Sequence, residues 1–119
     1  MDIKLGDAEL RVMDVLWRDG EQSAKRVVDI LKHQIGWNKN TTYTLIRRCV
    51  EKGAVARQEP GFIVRALVAR EEVQRREMKE FVDKLFNGSV SKLFAALVDH
   101  QKLSEDEIEE LKRIVERMK

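Results

Sequence analysis

The feature that most constrains the fold is a change in apolar periodicity at Gly53. Before Gly53, three segments carry apolar residues at the three- and four-residue spacings of amphipathic helices. After Gly53, two short and partly alternating runs, residues 54–59 and 62–67, flank the dipeptide Pro60-Gly61. This pattern predicts three compact helices followed by a small β-hairpin.

The limits of the three helices follow from capping residues. Gly6 is placed as the cap of a first helix that runs to about Arg18, with acidic residues in its first turn. Ser23 caps a second helix that ends near Gly36, and Asn38 caps the third. The stripe expected to be buried on the first helix consists of Leu10, Met13, Leu16 and Trp17, and that on the second of Val27, Ile30 and Leu31.

Three helices and a hairpin in this order are typical of a winged helix-turn-helix, in which the third helix enters the major groove of DNA. Residues 39–57 contain five cations and one anion, a density that suits a polyanion. Small modules that bind only proteins share the same element order. A protein-binding adaptor therefore remains an alternative.

The third helix has two distinct faces. A core face is predicted for Thr42, Leu45, Ile46 and Cys49, which leaves Asn40, Tyr43 and Arg47 as candidates for base edges. Lys39 and Thr41 are candidate phosphate contacts near the helix N-terminus. Thr44 either touches a thymine methyl or packs internally, and Arg48 either contacts phosphate or forms an internal salt bridge. The predicted hairpin is the wing of this fold. In it, Arg57 and Arg65 are either contacts to DNA or solvated strand residues.

A second region is predicted from residue 70 onward, so that residues 1–69 form a winged-helix domain and residues 70–119 a helical domain. One helix spans about Ala69 to Phe86, Ser89 caps a shorter one, and Ser104 with Glu107 forms a capping box for the last. About 50 residues rarely bury enough apolar surface alone, so a second copy is expected to complete the core as a homodimer. Closure against the N-terminal domain is the alternative. The expected dimer residues are Phe81, Leu85, Leu93, Phe94, Leu97, Ile108, Leu111, Ile114 and Val115, with Met118 on the same face.

Composition excludes several classes of function. The 119 residues lack an apolar run of membrane-spanning length and a signal-peptide pattern at the N-terminus, which predicts a cytoplasmic protein without membrane insertion. One cysteine and two histidines are too few for a structural zinc site, so neither a metal nor another cofactor is expected. The carboxylates of residues 105–110 are explained by capping and have no histidine or cysteine partner nearby. The chain is therefore not expected to be an enzyme.

Three segments carry a family resemblance: residues 9–17 (ELRVMDVLW), residues 37–48 (WNKNTTYTLIRR) leading to Lys52-Gly53, and residues 103–111 (LSEDEIEEL). They resemble the penicillinase-repressor family, which includes methicillin-resistance regulators and copper-responsive repressors. The resemblance implies a dimeric winged-helix repressor on inverted-repeat operators of β-lactam-resistance genes. A regulator of other genes within the same family is the alternative.

The resemblance also implies release by proteolysis. In such repressors a membrane-bound β-lactam sensor with a protease domain triggers cutting in the dimerisation region, and the corresponding bond here is Ala96-Leu97. This chain departs from the Asn-Phe pair familiar at that point, and both residues also suit a place in a dimer core. The copper branch carries a cysteine-rich motif that a chain with Cys49 alone does not have.

Overall fold

The computed structural model describes residues 3–100 and 103–117, which form six α-helices and three short strands. The mainly α-helical winged-helix architecture predicted above is confirmed. The chain divides into two compact units, the first ending at Val73 and the second beginning at Gln74, so the boundary lies within α4. The elements are α1 (Asp7–Asp19), β1 (Gln22–Ser23), α2 (Ala24–Ile35), α3 (Lys39–Glu51), β2 (Val55–Gln58), β3 (Ile63–Ala66), α4 (Arg70–Phe86), α5 (Val90–Asp99) and α6 (Glu105–Arg117).

The predicted hairpin is part of a three-stranded antiparallel sheet with β3 in the centre. β2 pairs with β3 from Val55 opposite Ala66 to Gln58 opposite Ile63. On its other side β3 pairs with β1, with Gln22 opposite Val64. The sequence did not reveal β1 because a strand of two residues shows no periodicity. Its effect is to join the wing to the residues that lead into α2.

Side-chain caps start the helices where the sequence placed them. The Ser23 hydroxyl accepts from the Arg26 amide at 3.2 Å, and the Asn38 side chain accepts from the Thr41 amide at 2.9 Å. In the second unit, Ser89 accepts from the Lys92 amide at 3.2 Å. Ser104 and Glu107 form the reciprocal capping box, in which the Ser104 amide donates to Glu107 Oε1 and the Glu107 amide donates to Ser104 Oγ. Each cap satisfies an amide that the helix leaves unpaired.

The core of the first unit lies among α1, α2, α3 and the sheet. The stripe predicted for α1 was partly wrong, because Leu10 and Trp17 are only half-buried while Val12 and Val15 are fully enclosed. On α2, Ile30 is half-buried and Val28 is buried instead. The apolar surface of each helix is therefore wider than a single seam, since α1 contacts both other helices and β3.

A buried ion pair connects the start of α1 to the end of α3. Glu9 is 5% exposed, and its Oε1 accepts from Lys52 Nζ at 2.6 Å and from the Gly6 amide at 2.6 Å. Lys52 Nζ also donates to the Lys4 carbonyl at 2.8 Å. Burial alone would raise the pKa of Glu9, but the hydrogen bonds from Lys52 and Gly6 outweigh it and lower the pKa.

The second unit has little interior of its own. Among its described residues, the one buried side chain is Val82. Phe81 and Phe86 pair at the end of α4 with ring centroids 5.8 Å apart, yet Phe81 remains 46% exposed. An apolar groove in this unit is lined by residues of α5, α6 and the segment between them, namely Phe94, Val98, Leu103, Ile108, Leu111, Ile114 and Val115. Met118, expected on the same face, lies outside the described residues.

Candidate nucleic-acid interface

The turn between α2 and α3 determines how α3 is presented. Gly36 ends α2 in a left-handed conformation, with φ +73°, and its amide donates to the Lys32 carbonyl at 3.0 Å. Residues without a Cβ adopt this conformation without strain. Asn38 then caps α3 immediately, so only Gly36, Trp37 and Asn38 separate the two helices. This short connection is characteristic of a helix-turn-helix.

α3 presents one face to the core, as predicted, and the other to solvent, except that Tyr43 of the outer face also packs partly against the core. Thr42, Leu45, Ile46 and Cys49 are all buried. Asn40 and Arg47 are exposed, and Tyr43 is half-buried. The Arg47 guanidinium lies over the Tyr43 ring, with Cζ 5.7 Å from the ring centroid, which holds the cation near the exposed face of the helix.

The first turn of α3 borders two surface clefts. On one side, Lys39, Asn40 and Tyr43 line a cleft together with Lys25 and Lys32 of α2. On the other side, Asn40, Thr41, Thr44 and Arg48 line a shallower cleft that includes Ala8 of α1 and Asn38. Three lysines and one carboxylate, that of Asp29, therefore line the cleft beside the first turn of α3, and their net positive charge near the positive end of the helix dipole favours binding of phosphate.

The structure shows the surroundings of Thr44 and Arg48, the two α3 residues for which the sequence leaves two roles open. The Thr44 hydroxyl donates to the Asn40 carbonyl one turn earlier at 2.9 Å, so its oxygen is engaged within the helix while the residue remains exposed. Arg48 is exposed, and the ion pair to Glu9 is made by Lys52 rather than by Arg48. The charge of Arg48 also helps to lower the pKa of Glu9, so both roles, a phosphate contact and an internal electrostatic partner, stay open for Arg48.

The wing residues have partners of their own. Arg57 forms an ion pair with Glu59, with 2.6 Å between Nη2 and Oε1, and its Cζ lies 3.5 Å from the centroid of the Phe62 ring. The pKa of Glu59 is lowered by the hydrogen bond from Arg57 and by the Phe62 amide. Arg65 is 3.8 Å from Glu21 across an exposed pair. Both arginines thus carry a carboxylate neighbour at the surface.

Two contributions to this surface are not predicted from the sequence. Lys25 and Lys32 lie seven residues apart, a spacing of two helical turns, and that spacing was the available signal. The alternating run 62–67 predicts a strand position for Phe62, but its ring contacts Tyr43 of α3 with centroids 5.9 Å apart. No local pattern links residues 43 and 62, so this contact appears only in the folded chain.

A helix-turn-helix whose second helix exposes polar and basic side chains beside a small antiparallel sheet defines a winged-helix DNA-binding protein. The sequence profile of the family described as "Penicillinase repressor" matches residues 5–117. The chain belongs to this family, as its sequence resemblance predicted.

Relatives of known name are similar over nearly the whole chain. The methicillin resistance regulatory protein MecI of Mammaliicoccus sciuri is 31% identical over 114 residues, which cover 94% of this chain and 93% of the relative. The penicillinase repressor of Bacillus licheniformis is 26% identical over 118 residues, with coverage of 98% and 92%.

Two solved structures match about three fifths of the chain. The solution structure of the DNA-binding domain of the repressor BlaI is 26% identical with a TM-score of 0.54, and covers 59% of this chain and 88% of that domain. The monomeric form of Bacillus licheniformis BlaI in complex with the blaP half-operator is 27% identical with a TM-score of 0.53, over 60% of this chain and 90% of the chain in that structure.

These findings show that the chain is a DNA-binding repressor. Its family consists of repressors rather than enzymes. Within residues 3–100 and 103–117, no helix is both long and apolar enough to cross a membrane. The same residues hold no cluster of three or more His, Cys, Asp or Glu side chains suited to a metal ion.

Proposed function

We propose that this chain is a sequence-specific transcriptional repressor that binds inverted-repeat operators as a homodimer and controls β-lactam-resistance genes. The observation that carries the proposal is the exposed face of α3, where Asn40 and Arg47 stand opposite four buried residues. The target genes are proposed from the relatives, which are named as methicillin-resistance and penicillinase regulators.

In this proposal the DNA contacts divide into two kinds. Arg47 pairs with guanine and Asn40 with adenine, each contributing about 1–3 kcal/mol of discrimination, and Tyr43 and Thr44 border the same bases. Contacts to phosphate release counterions and supply most of the affinity. They are assigned to Lys39, Thr41 and Arg48 of α3, to Arg57 and Arg65 of the wing, and to Lys25 and Lys32 of α2.

Base reading is tested by replacing Arg47 with Ala. We expect weaker binding to the preferred operator by roughly tenfold and a loss of preference at one base position, because a bidentate contact to guanine is removed. Duplexes selected by the wild-type protein from a random pool are compared with an unrelated duplex in mobility-shift titrations. Arg75→Ala, an exposed arginine of α4, is the matched control. Unchanged affinity and preference in Arg47→Ala would remove Arg47 from the base-reading residues.

The same titrations distinguish a repressor from the adaptor alternative. A protein that neutralises several phosphates loses affinity steeply as salt rises, because released counterions must be returned. A DNA affinity that stays constant between about 50 and 200 mM salt would favour an adaptor that contacts protein.

Homodimerisation is supported by the apolar surface that one copy leaves uncovered in the second unit. Val115 is 50% exposed, Phe94 42%, and Ile108 and Ile114 more than a third. Leu85 is exposed as well, while Leu93, Leu97 and Leu111 are half-buried. Apolar area of this extent is unusual on a single small unit and is typical of an interface. Two joined heads then engage two half-sites, with the second bound at high effective concentration.

The dimer is tested by charge insertion. Leu111→Asp is expected to yield monomers at micromolar concentration in sedimentation experiments, because an unpaired carboxylate is costly in an apolar interface. Leu111 is half-buried within one chain, so Val115→Asp is the second variant, placed where one copy alone leaves the side chain exposed. Helicity measured by circular dichroism confirms folding. A wild-type protein that sediments as single chains would contradict the proposal.

We also propose that a membrane-bound sensor protease inactivates the repressor at Ala96-Leu97. The bond lies inside α5, where both residues are half-buried, so cleavage requires local unfolding of that helix. Mass measurement of the protein recovered from cells after β-lactam exposure is expected to show a fragment ending at Ala96. Loss of operator occupancy with an intact chain would contradict cleavage.

A further inference from the structure

A continuous set of ring and cation contacts joins the tip of the wing to the exposed face of α3. Arg57 lies 3.5 Å over the Phe62 ring, Phe62 contacts the Tyr43 ring at 5.9 Å, and Arg47 lies 5.7 Å from Tyr43. We refer to Arg57, Phe62, Tyr43 and Arg47 as the wing–helix stack. Its two ends are the arginines assigned above to phosphate and to guanine.

The backbone of Phe62 is held in an uncommon conformation. Its φ is +50°, in the left-handed region that bulky residues rarely adopt. Two hydrogen bonds hold it there, since the Phe62 amide donates to Glu59 Oε2 at 3.1 Å and the Phe62 carbonyl accepts from the Ala24 amide at 2.8 Å. A residue with this backbone persists when its surroundings over-determine it, and such residues concentrate at functional positions.

The surroundings direct the ring toward α3. The Ala24 amide fixes Phe62 to the first residue of α2, and β1 pairs with β3 just beside it. Glu59 binds both Arg57 and the Phe62 amide, so the cation and the ring are held by one carboxylate. The ring of Phe62 is only half-buried. Core packing alone would be served by an aliphatic side chain, whereas a ring supplies a face for Arg57 and another contact for Tyr43.

We propose that Phe62 is a positioning residue of the DNA interface, which fixes the wing cation Arg57 and, through Tyr43, the base-reading cation Arg47. The proposal rests on the proposed function, because it assigns Phe62 to sequence reading by α3. Side chains that are already ordered lose less conformational freedom on binding. The stack therefore favours specific binding, in which both arginines are placed at once, over binding to unrelated DNA.

The test compares two substitutions at Phe62. Phe62→Leu keeps an apolar side chain and removes the ring, whereas Phe62→Tyr keeps the ring. Ile63→Val is the matched control, a half-buried residue of the neighbouring position in β3. Each full-length variant is titrated with duplexes selected by the wild-type protein from a random pool and with an unrelated duplex of equal length. Denaturant unfolding followed by tryptophan fluorescence reports stability, since Trp17 and Trp37 both lie in the first unit.

We expect Phe62→Leu to reduce the ratio of specific to unrelated affinity about three- to tenfold, the fold-change that corresponds to one aromatic pair. Phe62→Tyr and Ile63→Val retain the wild-type ratio. In an Arg47→Ala background, Phe62→Leu changes the ratio less than it does in the wild-type background, because the two residues act together.

Three results would overturn the proposal. An equal loss of affinity for both duplexes reduces Phe62 to a general phosphate or stability role, and a loss that Phe62→Tyr does not rescue shows that the ring is not what matters. A fully additive effect with Arg47→Ala shows that the stack does not couple the two sites. If the wild-type protein selects no sequence from the pool, the proposed function itself is contradicted. If the wild-type protein selects a sequence and Phe62→Leu keeps the same ratio of affinities, only the role of Phe62 is contradicted.

Discussion

The ion pair between Glu9 and Lys52 provides a sharp test of what holds α3 in place. The carboxylate is 5% exposed, and Lys52 Nζ and the Gly6 amide each bind its Oε1 at 2.6 Å. Lys52 follows the last residue of α3, so the pair joins the end of that helix to the first turn of α1. Removing either partner is expected to destabilise the first unit, but not by the same amount.

The loss of stability in each variant depends on which buried group keeps or loses its partner. Lys52→Met leaves a buried carboxylate without its cation, which costs about 3–5 kcal/mol when both partners are fully buried. The Lys52 side chain is 42% exposed, and water and protonation therefore reduce the loss to about 2 kcal/mol. Glu9→Gln keeps an oxygen that accepts from Gly6 and Lys52 and gives up only charge assistance, a loss of about 1 kcal/mol.

The assay is thermal unfolding followed by tryptophan fluorescence. For a unit of this size, about 1 kcal/mol lowers Tm by roughly 4–8 °C, so we expect roughly 8–16 °C for Lys52→Met and half of that for Glu9→Gln. The double variant is expected to be no less stable than Lys52→Met alone, because it buries no unpaired charge. Lys25→Met, at an exposed lysine of α2, is the control and is expected to lie within about 0.5 kcal/mol of wild type.

The pH dependence of the folding stability provides an independent test of the same ion pair. The pKa of Glu9 in the folded chain is lower than its ordinary value of 4.5, so the ionised carboxylate stabilises the fold above pH 4.5 and this contribution is lost as the pH falls through the lowered pKa. The difference in stability between wild type and Glu9→Gln is therefore expected to narrow below pH 4.5. A Lys52→Met protein as stable as Lys25→Met would refute the reasoning.

The remaining predictions concern the core face of α3. Thr42 Oγ1 is fully enclosed and has no hydrogen-bond partner among the described residues, so Thr42→Val is expected to raise the free energy of unfolding by about 1 kcal/mol in denaturant titrations. A lower stability would mean that the hydroxyl is satisfied. Burial raises the pKa of the Cys49 thiol to about 12. We therefore expect the native protein to resist alkylation at pH 8 and to react only when unfolded, and rapid labelling of the folded chain would contradict this.

The sequence predicts those parts of the fold that depend on nearby residues. Ser23, Asn38, Ser89 and Ser104 cap the helices that follow them, because a cap and the amide it binds lie within three residues. The buried face of α3 is predictable for the same reason, since its four members repeat at helical spacing.

Features that depend on distant partners were missed. Glu9 looked like an ordinary acidic residue of a first turn, and its burial depends on Lys52, 43 positions further along the chain. β1 is too short to show a period, and it exists because β3 offers a free edge. The apolar spacing of α1 predicts one buried stripe, because a single sequence does not show that α1 has neighbours on more than one side.

The arginines of the wing and of α3 are placed by the same kind of contact, a cation over an aromatic ring. An exposed arginine gains little from one carboxylate neighbour, because solvent screens the pair and the long side chain loses freedom. Arg57 has in addition a ring face at 3.5 Å, and Arg47 has one at 5.7 Å. Cations held over rings keep their charge available to phosphate or guanine while their side chains are already ordered. We therefore expect the protein to distinguish specific from unrelated DNA through the placement of its cations over rings, more than through their number. The ratio of specific to unrelated affinity, compared between Phe62→Leu and Phe62→Tyr, tests this expectation.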